Sequence, residues 1–473
     1  MTPPTAHGRG ASTPRQAPVQ TARPLRVPRR AAGACCVVAL LLGLSVVPDV
    51  AAQTATVIRN AQVVDGTGRP PMPAADIVIQ GSRIVALSAT GSGQAPPDAR
   101  VLDASGKTVI PGIINLRGLA GLVRSPERTA APFSRTEIAR QLRIYASYGV
   151  TTTTTLGPPT ADLTDFRSTV EAGSTPPVAR TLTPLRILTS PNSGTHENPQ
   201  VQRLFQSVGS PGEARRAVDL LAREGADYIE FREGRRGPAE SRDPLVQQAI
   251  ISQAKQHELR IVVHARDLQS AAAFVRDGAN VVASSVSDKL VPDKFIEDLL
   301  VHDAVYAPAL STDSIRFEFG DRPAWLDDRY LRRSLQPGIT GLLRGPVSVR
   351  QALDPDRALK MLRFNTARRN LRRLAGAGVR IGLASGSGFP GTFEGFSEYR
   401  EAVLMNRAGM SAADVIRAFS QGSATALGIS DERGTLRPGQ TADLVILNAN
   451  PLDNIHNLRE LHAVFVRGRL ASL

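Results

Sequence analysis

The segment Val109-Ile-Pro-Gly-Ile-Ile-Asn-Leu-Arg-Gly-Leu119 begins as an apolar β-strand. It then places Asn115, Arg117 and Leu119 at spacings of two. Side chains two apart on a strand share a face, so three groups there would point at one place. A pair of histidines in that arrangement grips a metal ion from one side. Arginine is permanently charged and leucine has no lone pair, so neither Arg117 nor Leu119 can hold zinc. The histidines beyond the leader are His196, His257, His264, His302, His456 and His462, and no two form a His-x-His pair. The run Ser385-Gly-Ser387-Gly resembles a nucleophile turn only loosely, because the full Gly-x-Ser-x-Gly spacing is missing. A serine-hydrolase site would need Ser385 or Ser387 to reach His264. The competing reading is a glycine-rich turn.

The elements that must position these residues alternate. Apolar runs at 109–114, 150–155, 180–188, 227–231, 261–264, 281–284, 305–310 and 380–384 read as strands, most followed by amphipathic stretches such as 136–148 and 213–224. Repeated strand and helix units argue for a parallel sheet, and eight strands make a (β/α)8 TIM barrel the natural closure. Residues 312–351 form an Arg- and Pro-containing excursion, expected to lie over the barrel mouth. Short valine- and isoleucine-rich runs at 56–58, 62–64, 76–80 and 83–87, and again at 443–447 and 463–467, predict a small β-sandwich built from both termini. The organisation expected is therefore residues 1–52 as a leader, 53–108 and 431–473 as the two parts of the β-sandwich, and 109–430 as the barrel.

The leader has six arginines up to Arg30, an apolar run at 34–47, and Val50-Ala51-Ala52 before Gln53. That order is a secretory signal peptide, and the run is too short to span a bilayer comfortably. It implies an exported protein, periplasmic or extracellular. Arg29-Arg30 leaves open Sec or twin-arginine export. Cys35 and Cys36 both lie in the leader, so the remaining chain has no disulfide. The formal charge is +14. Removing six arginines and Asp49 leaves about +9, spread along the chain as arginine. No dense basic block accompanies one tryptophan and six tyrosines, which argues against nucleic-acid binding. Membrane contact is expected only through the leader, and self-association is left open.

Several separated motifs carry a resemblance. They are Asn60-Ala-Gln-Val-Val-Asp-Gly66, Asp76-Ile-Val-Ile-Gln-Gly-Ser-Arg-Ile-Val85, Tyr148-Gly-Val-Thr-Thr152 and Ala377-Gly-Val-Arg-Ile-Gly-Leu383. Toward the C-terminus come Ala408-Gly-Met-Ser-Ala412, Ala424-Thr-Ala-Leu-Gly428, Gly434-Thr-Leu-Arg-Pro-Gly-Gln-Thr-Ala-Asp-Leu-Val445 and Asn450-Pro-Leu452. Together with the strand at 109–114 they resemble the amidohydrolase superfamily, in its imidazolonepropionase and Xaa-Pro dipeptidase-like subgroup. The resemblance implies a barrel that hydrolyses C–N bonds with metal ions held at the strand ends.

Position by position, the resemblance implies ligands that this chain mostly lacks. Strand one should end in Asp-x-His-x-His, and here the residues are Asn115, Arg117 and Leu119. The bridging lysine of strand four falls on Glu230. The strand-five histidine is kept as His264. The strand-six histidine falls on Ser284, and the strand-eight aspartate on Gly386. Two ligands fall short of the three that hold zinc beside a water. His196, in Ser193-Gly-Thr-His-Glu197, resembles a substrate-contacting histidine of the subgroup. Glu398 matches a His-x-Glu position whose histidine is gone, and is expected to order the strand-eight loop. With cations lost, a buried Glu230 needs a new partner, and Arg117 on the same inward face is the expected one. The reading is a paralogue with a degenerate site and no resident cofactor, binding a small molecule or an intact amidohydrolase. The alternatives are a zinc enzyme with an atypical site, and a metal-free enzyme using Glu230, His264 and Arg117 as acid, base and electrostatic clamp.

Overall fold

The computed structural model describes residues 55–472, apart from 94–95, 122, 125–129, 132–134, 156–166, 168, 170–176, 192–201, 233–242, 337 and 390. The expected leader, 1–52, lies outside the described residues, as does His196.

Eight parallel strands close into a barrel. Ile113–Asn115 pairs with Val150–Thr154, which pairs with Arg180–Leu182. The third strand is interrupted, and its second half, Ile187–Thr189, pairs with Tyr228–Arg232. From there the ladder runs through Arg260–His264 and Val281–Val282 to Val305–Tyr306. The eighth strand joins by a parallel bridge from Tyr306 to Ile381. The ring closes where the Leu116 amide donates to the Leu383 carbonyl at 2.8 Å. Inward positions such as Ile114, Leu116, Tyr228, Val262 and Val281 share one buried cluster, so the barrel centre is packed rather than hollow.

The outer helices follow from their caps and stripes. Pro211–Arg223 starts on Ser210, whose hydroxyl accepts from the Glu213 amide, with proline in the first turn. Its buried residues Ala214, Ala217, Val218 and Leu221 make one face at helical spacing. Leu268–Asp277 is capped by Asp267 and stopped by Gly278 at φ 101°.

The two termini build one eight-stranded sheet, in which Thr56–Val63 pairs with Met72–Gln80, Arg100–Asp103 and Thr108–Pro111. Thr108–Pro111 also pairs with Leu444–Leu447. The run expected as the first barrel strand is therefore shared. Its first half serves this sheet, and the barrel strand begins only at Ile113. The edge strand Arg83–Ala89 meets the segment before Leu444–Leu447, where the Ile84 amide donates to the Gln440 carbonyl at 2.9 Å, and the sheet covers a core that includes Ile77, Ile79, Leu444 and Phe465. The excursion after the seventh strand is a series of short helical turns anchored by buried Phe319, Leu326, Tyr330 and Leu331. It leads into the long helix Arg357–Gly376. Among the described residues no helix is long and apolar enough to cross a membrane.

Candidate functional site

Strand ends four, five and six bring together three residues that the sequence separates. In Tyr228–Arg232 the alternate residues Tyr228, Glu230 and Arg232 lie on one face. The neighbouring strand ends at His264, whose Nε2 lies 2.7 Å from Glu230 Oε1. His264 Nδ1 lies 3.2 Å from the Ser284 hydroxyl, just beyond strand six. All three side chains are buried. Tyr228 donates to the other Glu230 oxygen at 3.4 Å, and Arg232 stands 3.9 Å away.

The charges on this row follow from its surroundings. Burial pushes the Glu230 carboxyl up, but His264, Arg232 and Arg117 together outweigh burial and hold it below the usual glutamate value. Burial lowers His264 first, and Arg117 and Arg232 lower it further against the pull of Glu230, down to about 4. At neutral pH an ionised Glu230 therefore faces a neutral imidazole. An ionised carboxylate can only accept, which puts the imidazole proton on Nε2 and leaves Nδ1 to accept from Ser284.

Arg117 does not pair with Glu230 as expected. No ion pair joins the two among the described residues; His264 holds that carboxylate instead. The Arg117 guanidinium lies over the Phe389 ring, 5.2 Å from its centroid, and its Nε is buried without a hydrogen-bond partner. Burial, Arg232 and Arg266 pull its pKa down to about 9 against the opposing field of Glu230 and Asp313, so it stays charged at neutral pH. Arg117 thus acts on the Glu230–His264 pair through its field.

The other positions to which the resemblance assigns ligands are closely packed. Leu119 packs with Ile187, Leu204 and Phe389 in a small apolar cluster. A Cβ at Gly388 would come within 2.4 Å of the Leu119 carbonyl oxygen and 2.5 Å of its Cβ, so this turn packs closely on the residue-119 backbone. Gly386 has φ +67°, and a Cβ there would meet Thr312 Oγ1 at 2.0 Å. Thr312 itself donates to the Ser385 carbonyl at 3.0 Å. An aspartate cannot enter position 386 without displacing Thr312.

A second network sits beneath the first strand end. Asn115 Nδ2 donates to Glu398 Oε1 at 2.6 Å, and its Oδ1 accepts from the Ser385 amide at 3.1 Å. The hydroxyls of Ser385 and Ser387 also donate to Glu398 Oε1. Tyr145 meets Ser387 at 2.7 Å. These serines are fully buried and none of their partners is a histidine, so the nucleophile reading of Ser385 and Ser387 does not hold. Glu398 orders the turn after strand eight, as expected. Burial raises it to about 7 despite the serine bonds, and its Oε2 has no partner.

The donor set does not fit zinc. Among the described residues no group of three His, Cys, Asp or Glu side chains could hold a metal ion. Glu230 and His264 make two. His257 bonds Asp219, His302 ends the helix Asp293–Val301, His456 bonds Tyr399, and His462 lies in the terminal sheet. The sequence reading missed Arg232, Phe389, Thr312 and the pair of half-exposed Arg266 with buried Asp313 at 2.6 Å. Arg232 and Arg266 each stand two residues beyond a candidate, so period-two counting could have found them. Thr312 and Phe389 arrive only through tertiary packing.

A (β/α)8 barrel with its candidate residues at the strand ends, joined to a sheet from both termini, is an amidohydrolase-type architecture. The chain belongs to the amidohydrolase family, whose family description matches residues 119–470. No curated protein matches it. Among solved structures it is similar to a Xaa-Pro dipeptidase with bound methionine, at 19% identity and TM-score 0.68, over 88% of this chain and 99% of that one. It is similar to molinate hydrolase at 19% identity and TM-score 0.69, over 89% and 95%. The ochratoxinase of A. niger gives 17% identity and TM-score 0.66, over 88% and 95%. At these identities the likeness is one of fold.

Proposed function

We propose that this chain is an exported amidohydrolase paralogue that no longer hydrolyses through bound metal, and that it serves by binding a small molecule or an intact family member. The observation that carries this reading is how the former ligand positions are filled. Leu119 sits in an apolar cluster, Gly386 lies against Thr312, and Asn115 is tied to Glu398. Each replacement is accommodated by its own neighbours, so reversing it would disturb packing or hydrogen bonds already made. The name of one neighbour, a Xaa-Pro dipeptidase, supports C–N hydrolysis as the ancestral chemistry.

The test is turnover. The purified chain is offered a panel of dipeptides and N-acyl amino acids, with and without added zinc and with a chelator. The expected result is no zinc-stimulated and no chelator-sensitive hydrolysis. Hydrolysis that a chelator abolishes contradicts the reading. Export is checked separately: the secreted or periplasmic form should begin at Gln53.

One observation favours metal-free catalysis as a second reading. The line from Ser284 through His264 to Glu230 has the connectivity of a proton relay, with Arg117 as the nearby cation. Under that reading, chelator-resistant turnover appears and His264→Ala abolishes it. A His264 held near 4 is a weak base, which favours the binding role.

A further inference from the structure

A cavity of about 80 Å3 opens between the ends of barrel strands five to seven and the helix Arg357–Gly376. Arg266 reaches it from two residues beyond His264, and Ser287 from three residues beyond Ser284. Asp313 and Arg316 follow strand seven. This is the end of a barrel at which such folds place their ligands. Glu230, His264 and Arg117 are not among the described residues that line it. The helix supplies the opposite wall from one face, because Leu359, Lys360, Arg363 and Phe364 recur at spacings of three and four.

Two unmatched donors indicate the kind of ligand. Ser287 is 4% exposed, yet its hydroxyl has no hydrogen-bond partner among the described residues. A buried hydroxyl without a partner costs free energy that an acceptor on a ligand would recover. Arg363 has no carboxylate partner among the described residues. Arg266, Arg316 and Lys360 make up the other cations of the wall. Arg266 is matched by Asp313 at 2.6 Å, and Lys360 by Asp354. Asp356 is the remaining lining carboxylate, and it is exposed to screening by water. Asp313, Asp354 and Asp356 set against the four cations leave one positive charge in excess. The half-buried Phe364 ring, 5.6 Å from that of Phe317, gives the same cavity an apolar side.

We propose that this cavity binds a short-chain organic monocarboxylate. The carboxylate is received by Arg363 and the Ser287 hydroxyl, and the carbon chain lies on Phe364 and Leu359. A guanidinium and a carboxylate make charge-assisted hydrogen bonds, which are stronger than neutral ones. One negative charge matches the excess, whereas a dianion would overshoot it. The volume admits a molecule of several heavy atoms and is too small for a polypeptide segment. The site rests on the small-molecule part of the reading above and not on the loss of metal hydrolysis. Chelator-sensitive turnover would overturn that loss and leave the binding predicted here in place.

The experiment is isothermal titration calorimetry of the purified chain with butyrate, with butyramide as its uncharged isostere, and with inorganic phosphate. The expected result is one butyrate per chain with a Kd on the order of 1 mM. Butyramide should bind about tenfold more weakly or worse. Phosphate should also bind more weakly, since it has no carbon chain for Phe364. Arg363→Gln should weaken butyrate about tenfold and Ser287→Ala about threefold, at unchanged melting temperature. Arg372→Gln removes an exposed cation of the same helix outside the cavity and should leave butyrate binding as it was. The proposal is overturned by the absence of saturable butyrate binding, or by butyramide or phosphate binding as tightly as butyrate. It is equally overturned if either lining variant binds as the wild type does, or if Arg372→Gln causes the same loss as Arg363→Gln.

Discussion

Glu230 and His264 form a pair in which each residue makes the other tolerable. The carboxylate is buried, and its nearest donor is the imidazole 2.7 Å away. Removing that donor alone leaves a buried charge, so His264→Ala should cost about 3 kcal/mol in urea unfolding. Replacing both by apolar residues, Glu230→Met with His264→Leu, should cost clearly less than the two single changes summed. Additive losses would mean that Arg117 and Arg232 hold the carboxylate unaided. Glu398 gives a pH signature. Its folded pKa stands near 7, above the ordinary 4.5, so the folded state keeps a proton that the unfolded chain has released. The group therefore costs stability progressively as pH rises from about 5 toward 8. Glu398→Gln should remove a loss on the order of 2 kcal/mol across that window. Glu401, raised to about 8, is present in both proteins and cancels in the difference. Parallel stability curves for variant and wild type would contradict the assignment.

At the scale of elements, strand and helix alternation was legible because the β/α units carry their own period, and several carry a side-chain cap or a glycine stop. Ser210, Asp267 and Gly278 mark helix ends within a few residues of the patterns they bound. The boundary at 109–114 was not legible. One apolar run serves two sheets, and periodicity cannot say that Pro111 belongs to one and Ile113 to the other. The candidate site was legible where family positions could be aligned, which found Glu230, His264 and Ser284 on one row. Its closing contacts were not, since Thr312 approaches Gly386 across 74 positions and Asn115 meets Glu398 across 283. The turn after strand eight carries the sharpest expectation. Gly386→Asp should lower stability by about 2 kcal/mol or more, because it adds a side chain at positive φ and against Thr312. Thr312→Ala in the same chain should recover the steric part, with calorimetric melting as the readout. Unchanged melting in Gly386→Asp would show that the strand end is still open to a ligand.

For the whole molecule, the family assignment and the site point in different directions. Fold is maintained across barrel, sheet and termini, while the positions that would hold metal are committed to packing and to internal hydrogen bonds. The most direct test is elemental analysis of the purified wild-type protein after gel filtration with zinc supplied during expression. The expected result is well below ~0.2 equivalents of zinc or any other transition metal per chain. Retention of ~1 equivalent or more, removed only by a strong chelator, would contradict the account at its centre.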